Sequence, residues 1–179
     1  INQSDYRFTP NNQRQIRYAL GAVKGTGEAA VEAIVAARQS GPFQDLLDFC
    51  ERVGKAHINK RTVESLIRGG AFDSIHPNRA MLLANIDLAM SNAEQKAANA
   101  NQGGLFDMME DAIEPVQLAD APEWSESEKL AEEKQGLGFY FSGHPFGPFA
   151  AEVRQFAPLR LNKLKPQEQW RPGVNTDTL

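Results

Sequence analysis

The chain has 179 residues, 41% of them hydrophobic, and its 19 basic and 23 acidic side chains give a net charge of −4. A globular chain of this length buries about 70% of its unfolded surface and needs no covalent staple; the single cysteine, Cys50, excludes an internal disulfide and any C-x-x-C zinc site. No apolar run approaches the ~18 residues of a membrane span and no leader pattern opens the chain, so the expectation is a cytoplasmic protein without membrane contact. Because it starts at Ile1 rather than methionine, a piece of something longer is expected.

Taken in chain order, Tyr6-Arg7-Phe8 and Ile16 to Leu20 alternate apolar and polar residues around Pro10-Asn11-Asn12, the pattern of a short hairpin. After Gly25-Thr26-Gly27, Ala30, Ala33, Ile34 and Ala37 recur at helical spacing until Ser40-Gly41-Pro42. Phe43, Leu46, Cys50 and Val53 mark a second helix, and Val63, Leu66 and Ile67 a third, broken by Gly69-Gly70. Pro77 suits the first turn of a fourth and longer helix carrying Leu83, Ile86 and Met90. From about Ser91 the composition turns to Ala, Asn, Gln and Gly, the expected fraying of a helix into a linker, and residues 107–122 are acidic and aperiodic. Ser125 and Glu128 have capping-box spacing for a helix running towards Tyr140, and Phe149, Val153 and Phe156 mark one more. The charge is unevenly spread. Residues 1–99 carry 12 basic and 10 acidic side chains, the rest 7 and 13, so any nucleic-acid contact belongs to the first part.

Catalytic patterns are missing. His57, His76 and His144 lack metal-ligand spacing, so no metal site is expected, and no nucleophile elbow or Cys/His pair is present. Gly25-Thr26-Gly27-Glu28-Ala29-Ala30 matches G-x-G-x-x-A, which in a dinucleotide fold cradles pyrophosphate. That reading needs a second strand ending in an acid about 20 residues later. The window Asp45 to Cys50 has helical periodicity instead, so a nucleotide-binding enzyme is disfavoured.

The same glycines fit a helix-hairpin-helix turn. Glycine permits positive φ and close approach of backbone to phosphate, and free amides at Gly25, Thr26 and Gly27 would face an anion at a helix N-terminus, with Lys24 beside them. A second unit of similar plan runs from Lys60 to Ala89, with Gly69-Gly70 in its turn and Lys60, Arg61, Arg68 and Arg79 around it. Contacts of this kind position DNA by its backbone without reading sequence. A helical scaffold whose glycines only cap helices is the plainer alternative.

Several blocks resemble the alpha (catalytic) subunit family of bacterial DNA polymerase III. They are Tyr18 to Gly27, Gly41-Pro42-Phe43 leading to Asp48-Phe49-Cys50, Asn59-Lys60-Arg61 through Asp73, Gln102 to Phe106, and Leu137 to Pro145. The resemblance covers roughly residues 16–165. It implies a mainly α fold: the end of the fingers region with a short β-hairpin (1–20), a tandem helix-hairpin-helix domain (21–99), a flexible linker with a clamp-binding motif (100–124), a helical segment leading to an OB domain (125–165) and an unassigned tail (166–179). It implies duplex DNA, a sliding clamp and other replicase subunits as partners. DNA contacts are expected at Lys24, Gly25, Thr26, Gly27, Lys60, Arg61, Arg68, Gly69 and Gly70, and clamp contacts at Gln102, Leu105 and Phe106. The family's magnesium-binding aspartates have no match here, so no catalytic residue, cofactor or polymerase activity is expected of this stretch alone. A freestanding helix-hairpin-helix module of a repair protein remains the rival reading.

Overall fold

The N-terminal segment forms the expected hairpin, but a brief one: β1 (Thr9–Pro10) pairs antiparallel with β2 (Ile16–Arg17), with Thr9 opposite Arg17. The structure, a computed structural model, describes residues 1–101 and 116–157. Their elements divide into a unit spanning Ile1–Phe141 and a second beginning at Ser142. Apart from this hairpin, all regular elements among the described residues are helical: α1 (Glu28–Ala37), α2 (Leu46–Val53), α3 (Lys60–Arg68), α4 (Arg79–Ala84), α5 (Ile86–Asn101), α6 (Glu126–Leu137) and, in the second unit, α7 (Ala150–Phe156). The fold is mainly helical with a short hairpin, as the sequence predicts. The Asp45 to Cys50 window lies at the N-terminus of α2, and the described residues contain no βαβ unit.

Local chemistry sets the helix starts. Asp45, Asn59 and Asn78 cap α2, α3 and α4 by accepting from the amides of Asp48, Thr62 and Met81, each a cap worth about 1 kcal/mol. At α6 the predicted capping box is complete: Ser125 Oγ accepts from the Glu128 amide at 3.3 Å, and the Glu128 carboxylate accepts from the Ser125 amide at 2.8 Å. Hydrogen bonds from the Ser125 hydroxyl and amide hold the Glu128 carboxyl below its ordinary pKa.

The core of the first unit lies among α1, α2, α3 and α5. Phe43, Phe49 and Phe72 stack edge-to-face at 5.1 and 4.9 Å between ring centres, surrounded by fully buried Val31, Ile34, Leu46, Val63, Leu66 and Ile67. Arg52 closes the α1–α2 connection, lying over the Phe43 ring and donating to the carbonyls of Ala37 and Gly41 at 2.6 and 2.7 Å.

Two features depart from the expected helix pattern. The long fourth helix is split at Asn85, which is buried and exchanges two 2.8 Å hydrogen bonds with the backbone of Ala119. Its amide also donates to the Met81 carbonyl at 2.8 Å, so the side chain competes with the helix ladder at the break. Beyond it, α5 runs on to Asn101 rather than fraying at Ser91, with Ala93 buried and Lys55–Glu94 and Lys96–Glu51 pairs at 2.5 and 2.6 Å. α6, in the same first unit, packs on α3.

Candidate nucleic-acid interface

A single turn of 3-10 helix (Leu20–Ala22) delivers the chain to the first glycine turn. Gly25 has φ +77°, a conformation that a side chain disfavours, and Gly27 is the N-cap of α1. The Thr26 amide is engaged by the Val23 carbonyl at 3.2 Å, so it is not one of the free donors that the sequence pattern implied. Among the described residues the amides of Gly25 and Gly27 have no partner, and both residues are exposed. The turn is fixed from behind. Thr62 Oγ1 donates to the Gly25 carbonyl at 3.3 Å, and the Lys24 amide donates to the Gly136 carbonyl at the end of α6 at 2.8 Å. Thr26 is buried, and its hydroxyl finds no partner among the described residues.

Beside this turn, Lys24, Gly25, Arg61, Glu64, Ser65, Arg68 and Gln135 line an open groove of about 380 Å³. The structure therefore brings Lys24 and Gly25 from the first turn together with Arg61 and Arg68 from α3. Arg61 is exposed and makes no ion pair among the described residues. Lys24 Nζ donates to the Lys134 carbonyl at 3.3 Å while staying exposed. Arg68 is held by α6, donating to Gln135 Oε1 and standing 3.0 Å from Glu132 Oε2.

The other expected residues lie elsewhere. Lys60 pairs with Asp87 at 2.7 Å, and that hydrogen bond raises its pKa. Gly69 and Gly70 do not line the groove. Their amides cap α3, donating to the carbonyls of Ser65 and Ile67 at 2.9 Å each, and Gly70 (φ +79°) lies against the Arg79 guanidinium. The second turn is thus a helix end followed by a loop, not a glycine turn feeding directly into a helix. Gln102, Leu105 and Phe106 lie outside the described residues.

Sequence reasoning missed Glu64, Ser65 and Gln135. The first two were within reach, because positions 61, 64, 65 and 68 share one face of a helix. Gln135 was not, since only the docking of α6 carries it there. Among the described residues no cluster of His, Cys, Asp or Glu could hold a metal ion, and no helix is long and apolar enough to cross a membrane. Burial pushes the Cys50 thiol up to about 12, which leaves it a poor nucleophile.

An exposed glycine turn at a helix N-terminus, backed by a second helical pair and flanked by cations, defines the class of helix-hairpin-helix units. The family described as helix-hairpin-helix motif matches residues 1–82. Over nearly its whole length the chain belongs to the DNA polymerase III alpha-subunit family. It is 78% identical over 172 residues to the DNA polymerase III subunit alpha of Neisseria meningitidis serogroup A, covering 96% of this chain and 15% of that protein. The subunit of Pseudomonas fluorescens is 43% identical over 187 residues, covering 93% and 16%, and that of Vibrio cholerae is 39% identical over 171, covering 93% and 15%. The chain thus spans about 15% of the length of these relatives.

Proposed function

We propose that this chain is the part of a DNA polymerase III alpha subunit that holds duplex DNA by its backbone and tethers the subunit to a sliding clamp. The observation that carries the duplex reading is the groove, where Gly25, whose amide has no partner among the described residues, meets Lys24, Arg61 and Arg68. Amides at a helix N-terminus favour an anion, and phosphate oxygens have the charge and size to reach the groove. Contacts of this kind fix register without reading bases. On this reading DNA polymerisation is the work of other parts of the parent subunit, which the chain spans to about 15%.

Each phosphate neutralised by a cation contributes about −0.9 to the log–log salt slope of duplex binding. Replacing Lys24 and Arg61 together with alanine is expected to flatten the slope by about two units and weaken binding at low salt by about tenfold. Fluorescence anisotropy of a labelled blunt duplex titrated across a salt series measures both. Unchanged affinity and slope would overturn the duplex reading.

The tether rests on Gln102, Leu105 and Phe106, whose Q-x-x-L-F order resembles a clamp-docking peptide. Two apolar side chains filling a groove carry most of the energy of such a peptide. Phe106→Ala in a peptide spanning Asn101 to Met108 is expected to lose about 30-fold in affinity for the cognate clamp, the consequence of removing one buried aromatic anchor. Equal binding of the two peptides would place the tether elsewhere.

A further inference from the structure

We propose that Glu132 competes with DNA phosphate for Arg68, so that α6 sets how strongly the groove holds a duplex. This rests on the duplex reading above and names a regulator of that same groove. Arg68 closes the last turn of α3, and its guanidinium is shared. Arg68 lines the groove, while its Nη1 donates to Gln135 Oε1 and stands 3.0 Å from Glu132 Oε2. The Arg68 and Glu132 side chains are only 24% and 25% exposed, so solvent screens the pair less than a surface ion pair.

The pair is incompletely satisfied. Arg68 Nε is buried without a partner among the described residues, and Glu132 Oε2 is buried without a hydrogen bond of good geometry despite the short approach. A guanidinium at a groove can donate to a phosphate as it does to a carboxylate, so the two anions are alternatives for Arg68. In the free protein its charge is instead offset by a carboxylate that does not line the groove. Glu64, one turn back on α3, is the carboxylate that does line the groove, and Lys24 and Arg61 are its other cations.

Glu132 is separable from the docking of α6. That helix is held by Glu133 on Arg79, by the Lys24 amide on the Gly136 carbonyl, by its own capping box and by the close approach of Gly136 to Gly69. None of these uses the Glu132 side chain, so Glu132→Gln removes one charge and leaves the helix seated.

The test uses the full 179-residue chain and a labelled blunt duplex over a salt series, with thermal melting alongside. Glu132→Gln is expected to tighten binding about 2- to 5-fold at low salt, the factor by which one partly exposed ion pair biases its partner. It should also steepen the salt slope by about one, since Arg68 then neutralises a further phosphate. Arg68→Gln added to Glu132→Gln should abolish both changes. A steeper slope is the signature, because a merely structural role for Glu132 would not move it.

Three results would overturn the proposal. If Glu132→Gln binds like the native chain while the Lys24/Arg61 double variant binds weakly, the groove is a duplex site but Glu132 does not regulate it. If Glu132→Gln lowers melting temperature and affinity together, the pair is structural. Should the Lys24/Arg61 variant itself bind normally, the duplex reading fails and this one with it.

Discussion

Replacing Arg79 with alanine is expected to destabilise the chain by about 3–5 kcal/mol, the cost of leaving a buried carboxylate without its cation. The Arg79 side chain is 5% exposed and the Glu133 side chain fully buried. Nε and Nη2 grip the Asp73 carboxylate at 2.7 and 2.6 Å, and Nη1 donates to the Arg68 carbonyl at 3.0 Å and to Glu133 Oε1 at 3.2 Å. Burial alone would lower the pKa of Arg79, but its hydrogen bonds to Asp73 and Glu133 more than offset this and hold it above its ordinary value. Without the guanidinium, Asp73 can turn to water, whereas Glu133 cannot, because α6 buries it against α3 and α4. The carboxylate keeps the Phe141 amide at 2.9 Å but loses its cation, so its charged form becomes the costly one and the seat of α6 weakens. Denaturant unfolding of Arg79→Ala measures the loss. Replacing both partners with apolar residues, Arg79→Met with Glu133→Leu, should recover most of it, since a well-packed apolar pair often equals or exceeds a buried ion pair. A loss below about 1 kcal/mol in Arg79→Ala would mean that Glu133 reaches water and that α6 is not docked as described.

Much of this architecture was legible in the sequence, and what was not has a common cause. The helices α1, α2 and α3 follow from the 3.6-residue recurrence of Ile34, Leu46, Cys50, Val63 and Ile67, and α6 from the Ser125–Glu128 capping box, because both signals are local. The break at Asn85 was not readable. An asparagine inside an apolar helical stripe is unremarkable until its amide meets the Ala119 backbone, 34 residues away. The continuation of α5 past Ser91 has the same character, since Ala- and Asn-rich composition reads as fraying unless Glu51 and Lys55 on the neighbouring segment supply partners. At the candidate site, Lys24 and Gly25 were legible from the first glycine turn, whereas Arg61 and Arg68 were expected around the second turn and are brought to the first by α3. The Gly69-Gly70 turn looked equivalent to the first in sequence. It differs because a glycine pair after a helix can cap that helix, and only the chain beyond it decides which.

The docking of α6 also rests on an absence of atoms. A Cβ built on Gly136 would stand 3.0 Å from both the Gly69 amide nitrogen and the Ser65 carbonyl oxygen, and 3.2 Å from Arg68 Cβ. The first two neighbours are backbone in the last turn of α3 and its cap, where the Gly69 amide already donates to the Ser65 carbonyl at 2.9 Å. They cannot move aside without opening that turn. Helix propensity and packing therefore make opposite predictions for Gly136→Ala. In a helix interior, alanine is favoured over glycine by about 1 kcal/mol, so an isolated α6 would gain from the change, though by less than this in its last turn. Forcing a methyl between two close backbones costs about 1–3 kcal/mol. Packing should win, with Gly136→Ala less stable by about 1 kcal/mol and Gly136→Val, which adds two further methyls, by about 3 kcal/mol. The Gly136 carbonyl also receives the Lys24 amide at 2.8 Å, so displacing α6 releases the first glycine turn as well. Hydrogen exchange should accordingly report faster opening at Lys24 together with α6 in both variants, while the α1–α2 core keeps its protection. If Gly136→Ala instead stabilises the chain, the two helices are farther apart than the structure places them, and the groove formed by Arg68 and Gln135 is wider than described.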